Sequence, residues 1–137
     1  MLTMWNEGLQ HVEKALTLVP DCKKDNGERL FALGKFCRNS IITTLNMKRW
    51  WTLNMQLQLQ PDREAMLAVL DKIIDLAHQE IENVKDTFDA VRVDSRIGWE
   101  PSMEYVCDEW HLDWKLRQMD SMLREIDIYR NCILLKG

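Results

Sequence analysis

Apolar residues recur at intervals of three and four along most of this chain, the spacing that places them on one face of an α-helix. Trp5, Leu9, Val12, Leu16 and Val19 predict a first helix from about Thr3 to Val19, stopped by Pro20. Residues 20–27 read as a polar loop. Asp25 and Glu28 have the spacing of a capping box, so a second helix is expected from there to about Gln60. Its first seam is Leu30, Leu33, Cys37, Ile41 and Leu45, followed by Trp50, Trp51, Leu53, Leu57 and Leu59. Residues 53–60 alternate apolar and polar, which suits a strand, but a lone strand would have no partner and the helical reading stands.

Pro61 fits the first position of a third helix, with Asp62 and Glu64 at its positive end. That helix runs to about Val91 or Arg92. Leu67, Leu70, Ile74, Ala77, Ile81, Val84, Phe88 and Val91 keep a heptad register, and Asp71, Asp75, Glu82 and Lys85 occupy the opposite face. Pro101 again fits a first helical position, so a fourth helix is expected over about Ser102–Leu135. Its seam is Met103, Val106, Trp110, Leu112, Leu116, Met119, Leu123, Ile126 and Ile133. The fold class that follows is all-α: an antiparallel up-down helical bundle of one short helix and three long helices, in a single domain over residues 1–137. The short first helix covers half the length of the others. An apolar groove is therefore expected along the far half of helices two to four, open to a homodimer mate or another domain of the same protein.

Charge refines this picture. The net charge of −4 argues against a nucleic-acid or membrane-surface partner. Residues 29–60 nevertheless carry Arg29, Lys35, Arg38, Lys48 and Arg49 and no acid, whereas residues 61–137 carry 17 acids and 10 bases. A basic helix packed beside acidic ones accounts for that asymmetry, and an anion-binding strip is the alternative. Cys22, Cys37, Cys107 and Cys132 lack metal-site spacing and read mainly as small buried hydrophobes. Neither a membrane span nor a signal peptide is legible, so a cytoplasmic location is the default, with an extracytoplasmic one open if an upstream signal has been removed.

Candidate chemistry is sparse. Asp75/His78 and Asp108/His111 are carboxylate-x-x-His pairs of the kind that bundles use for metals, but the carboxylates are the shorter Asp, and solvated histidines are the simpler reading. A nucleophile elbow, a phosphate loop and a catalytic triad are all missing from the sequence, and no cofactor is expected. Six Trp in 137 residues are more informative. Trp5 and Trp110 fall on seams and are expected in the core. Trp50 and Trp51 are adjacent and so point about 100° apart. The run Asp94-Ser95-Arg96-Ile97-Gly98-Trp99-Glu100-Pro101 interrupts the helical pattern. Trp99 there suits sugar stacking or a domain contact, or else folds back as a plug over the bundle end while Arg96 pairs with Asp94 or Glu100.

Three pieces of the chain carry a family resemblance: Arg38-Asn39-Ser40 with Lys48-Arg49-Trp50-Trp51, then residues 94–105 around Asp-Ser-Arg-Ile-Gly-Trp-Glu-Pro-Ser-Met, then His111-Leu112-Asp113-Trp114-Lys115. Together they resemble the C-terminal helical region of large bacterial glycoside-hydrolase-like proteins with a hexosaminidase- or glucuronidase-like barrel upstream. The resemblance spans most of the chain, and its specific part is the 94–103 run. It implies a non-catalytic accessory domain of a carbohydrate-active protein, with the catalytic acids on the barrel. Asp94, Arg96, Trp99, Glu100, Arg49, Trp50 and Trp51 are the residues expected to meet that barrel or a glycan. A free-standing interaction module is the alternative.

Overall fold

The computed structural model describes residues 1–100, 102 and 105–135. It is an all-α bundle in which four helices follow one another in antiparallel order: α1 (Leu2–Leu16), α2 (Lys24–Gln58), α3 (Arg63–Val93) and α4 (Glu109–Leu135). Between α3 and α4 lies a two-residue antiparallel ladder, β1 (Trp99–Glu100) with β2 (Tyr105–Val106).

The helix ends differ from the sequence expectation by identifiable chemistry. α1 tapers after Leu16 because Pro20 disfavours helical geometry just before it, and Thr17 Oγ1 donates to the Lys14 carbonyl. No loop or capping box then follows. A 3-10 turn at Asp21–Lys23 feeds directly into α2, and Asp25 and Glu28 lie inside the helix. Pro61 precedes α3 without being its first residue. Asp62 takes the cap, because its carboxylate accepts from the Ala65 N–H at 2.8 Å, which a proline cannot do. α4 starts seven residues later than expected. Tyr105 and Val106 pair as a strand, and Asp108 accepts the His111 N–H at 3.0 Å to open the helix. The readings placed on Pro101 and Met103 lie outside the described residues.

α3 is the central helix. It holds 11 of the buried residues and packs against α2 on one side and α4 on the other. Val69, Leu70 and Ile73 gather Trp50, Leu53 and Leu57 from α2 and Ile126 and Ile133 from α4. Val84, Val91 and Leu112 form a second cluster with Phe36, Phe88 and Leu116. Each fully buried large aliphatic side chain here contributes about 1.5–3 kcal/mol of transfer free energy. α1 packs mainly beside α2: Leu9 lies where a Cβ on Gly34 would be, and Leu16 where one on Gly27 would be.

Three expectations about faces are corrected. The apolar seam read on α2 faces the core only in its second half, through Trp50, Leu53 and Leu57, whereas Leu30 is 61% and Leu33 47% exposed. The inward face of α2 is instead Ala32, Phe36, Asn39, Thr43, Asn46 and Trp50, half of it polar. Trp5 and Trp110 are exposed rather than core, at 36% and 66%. α1 has only one neighbour to bury Trp5 against, and the late start of α4 removes Trp110 from the seam. Among the cysteines, Cys22 and Cys132 are exposed, while Cys37 and Cys107 are half-buried.

Leu70 is 1% exposed at the centre of the α2/α3/α4 contact. Leu70→Ala should lower unfolding free energy by about 2–5 kcal/mol in denaturant titrations. Trp110→Ala should cost under about 0.5 kcal/mol in the same measurement, as expected of an exposed side chain.

Candidate functional site

Two places bring polar side chains together. The first is the α2/α3 interface, where polar residues at helical spacing interlock over about three turns of α2. Asn39, 2% exposed, donates from Nδ2 to Thr87 Oγ1 at 2.9 Å and Asp86 Oδ2 at 3.1 Å, and its Oδ1 accepts from Arg38 Nε. Asn83 Nδ2 donates to the Asn39 carbonyl at 3.0 Å and to Thr43 Oγ1 at 3.1 Å. At the far end Glu80, 6% exposed, accepts from Thr43 Oγ1 at 2.6 Å, from Asn46 Nδ2 at 2.7 Å and from Lys115 Nζ, which reaches over from α4. At the near end Asp86 accepts from Arg38 Nη2 at 2.5 Å and pairs with Lys35 at 2.8 Å. Burial pushes the Asp86 carboxyl up, but hydrogen bonds from Lys35 and Asn39 and the charges of Lys35 and Arg38 outweigh it and hold the group below 3.8.

The Glu80–Lys115 pair closes one end of a cleft of about 280 Å³ between α2 and α4. Met47 and Trp50 form one wall, Met119 and Met122 the other, and Leu76 and Ala77 of α3 the floor. This cleft lies at mid-length of the three helices rather than along their far half, and it has a polar end that periodicity did not suggest.

The second place is the 94–100 corner. Asp94 caps α3 and its carboxylate is mostly covered. It accepts from Arg96 Nη2 at 2.7 Å, Nε at 3.0 Å and the backbone N–H at 3.0 Å, with Arg29 at 3.9 Å. The Arg96 guanidinium and N–H hold the Asp94 carboxyl far below the usual carboxylate range. Gly98 has φ +84°, and a Cβ there would sit 2.6 Å from the Cys107 carbonyl, so glycine is required at the crossing. Ile97, 8% exposed, packs on Ala32 and Ala90 and plugs the bundle end. Trp99 is 57% exposed beside Val106. Glu100 accepts from the Ser102 N–H and hydroxyl, which lower its pKa.

The remaining sequence candidates separate. Trp50 turns inward to the cleft and the Leu70 cluster, while Trp51 points outward at 67% exposure. Arg49 lines a shallow groove on the other flank with Lys48, Lys72 and Asp75. Trp50 contacts α3 near Ile73, about 30 Å along that helix from the corner, so the structure does not join the two groups. Asp75 and His78 are exposed in mid-α3. Asp108 and His111 pair at 2.7 Å beyond the C-terminal end of α3, about 20 Å away, so one ion cannot reach both pairs. Among the described residues no three His, Cys, Asp or Glu side chains converge. Sequence reasoning gave no structural role to Asn39 or Lys115 and missed Thr43, Asn46, Glu80 and Asn83. The signal available was polar residues at heptad spacing on two consecutive antiparallel helices.

Lys115→Met should cost about 2–3 kcal/mol by leaving Glu80 buried without its cation, and Glu80→Leu with Lys115→Met should cost less than Lys115→Met alone. Chemical denaturation of the full double-mutant cycle reads both. Because the folded Asp86 pKa lies below its unfolded value of 3.8, its contribution is complete above that pH and is lost as pH falls through the lower folded value. Asp86→Asn should flatten the stability–pH curve in that acid window and leave its slope at neutral pH unchanged.

Comparison of the chain with known protein families, with curated proteins and with solved structures finds no match to any of them.

Proposed function

We propose that this chain is a non-catalytic accessory helical domain of a carbohydrate-active, glycoside-hydrolase-like protein, docking on a catalytic domain upstream of it. The observation that carries the docking role is the inverted amphipathicity of α2. Its polar ladder faces inward, and Leu30, Leu33, Met47, Trp51, Met55 and Leu59, each at least 40% exposed, lie outward. An apolar stripe of that length on a protein surface marks a contact with another folded body. Lys48 and Arg49 add positive charge there, and the helix carries no acid from Arg29 to Gln58.

The carbohydrate assignment rests on the resemblance of the 94–103 run. The corner favours it to the extent that it presents Trp99 on a clamped backbone, the arrangement that stacks on a sugar ring or a partner surface at low entropic cost. Asp94 and Arg96 are engaged with each other and Glu100 with Ser102, which leaves Trp99 as the main contact residue of the corner. Among the described residues no helix is long and apolar enough to cross a membrane.

Extending expression upstream along the reading frame tests this reading. In the longer protein, hydroxyl-radical footprinting should find Trp51 and Trp99 at least about threefold less reactive than in the 137-residue chain, with Trp110 as internal reference. Trp99→Ala should weaken the contact by about 30-fold and leave the melting temperature of the isolated chain nearly unchanged. Equal reactivity of Trp51 and Trp99 in both proteins, or a reading frame that encodes no barrel, would contradict the proposal and favour the free-standing module.

A further inference from the structure

We infer that the cleft between α2 and α4 is a binding site for a small amphipathic ligand: an aromatic or branched aliphatic body carrying a neutral or anionic hydrogen-bond-accepting head. This site borders the docking stripe at Met47 and is otherwise distinct from it and from the corner.

The body follows from the walls. Met47, Trp50, Met119 and Met122 line the cleft over a floor of Leu76 and Ala77, so its middle offers nothing to a polar group. A cavity of about 150 Å³ takes a benzene-sized guest, so 280 Å³ accommodates about ten non-hydrogen atoms. Methionine walls adapt to the outline of a guest because the side chain is unbranched and polarizable.

The head follows from counting donors and acceptors at the polar end. Both Glu80 oxygens accept hydrogen bonds, Oε1 from Thr43 and Lys115 and Oε2 from Asn46. The Thr43 hydroxyl gives its single proton to Glu80 and accepts from Asn83 and from Lys115 at 3.3 Å. Lys115 has three N–H donors and uses two. Its side chain remains one-third exposed, so the third donor is available at the cleft end. Glu80 already balances the charge of Lys115, so a hydroxyl, a carbonyl or a carboxylate can each accept that proton. A cationic head meets the ammonium of Lys115, a like charge, at the same end of the cleft.

The test uses the native chain labelled with ¹³C at the methionine methyls, titrated separately with 3-phenylpropanol, 3-phenylpropionate and 3-phenylpropylammonium. The Met47, Met119 and Met122 methyls should shift saturably with the alcohol and the acid, while Met1 and Met4 stay fixed. The ammonium compound should bind at least about tenfold more weakly, because its charge meets the like charge of Lys115. Met119→Glu, at the half-buried rim, should abolish the shifts while the helical circular dichroism is retained. Absence of saturable shifts in the native chain at millimolar probe overturns the inference. So does equal binding of all three probes, or shifts that include Met1 and Met4, whether or not the variant folds.

Discussion

The polar ladder between α2 and α3 is the constraint on which the rest of this molecule depends. Two helices that meet through Asn39, Thr43, Asn46, Glu80, Asn83 and Thr87 gain little net free energy from each hydrogen bond they form. They lose much more if any of those groups is buried without a partner. Among the described residues no buried side-chain nitrogen or oxygen lacks one. A slip of either helix by one turn would break most of the set at once. The ladder therefore acts less as a source of stability than as a lock on register.

Two surfaces follow from that lock. Because polar residues occupy half of the inward face of α2, several of its apolar residues are left on the outside, Trp51 and Met55 among them. Because Glu80 needs a cation, Lys115 is drawn across from α4. That contact joins α4 to α2 at the polar end of the cleft and leaves its methionine-lined length open to solvent. At the opposite end of α3, Asp94 and Arg96 clamp the chain, Ile97 seals the core and Trp99 is left exposed. Core and contact surfaces are thus set by the same few polar residues.

The helices and their order were legible in the sequence because each apolar run has an unbroken helical period. The α3 seam was the clearest part: Leu70, Ala77, Val84 and Val91 are all buried. The inward face of α2 was not legible, because periodicity finds the apolar face and takes it for the buried one. In α2 the stripe through Leu30 and Leu33 is apolar and exposed, whereas Asn39 and Asn46 are polar and buried. Seeing this required matching polar positions across two helices, which a single-helix pattern does not contain. The 94–101 corner was legible as a break, since Gly98 and Trp99 do not fit the helix. Which residue would plug the bundle end was not, because Ile97 and Trp99 are both apolar and the choice depends on the turn made at Gly98.

Register is most directly read as a distance. On a cysteine-free background, spin labels at the exposed positions Thr44 of α2 and Glu82 of α3 report it by double electron–electron resonance. The native ladder should give one narrow distance distribution. Replacing the ladder by Asn39→Leu, Asn46→Leu, Glu80→Leu, Asn83→Leu and Lys115→Met should keep the chain helical. It should also broaden that distribution or add a second population displaced by up to about 10 Å, one heptad of helix rise. If the substituted chain kept the single native distance, register would be set elsewhere and the ladder would not be the organising constraint.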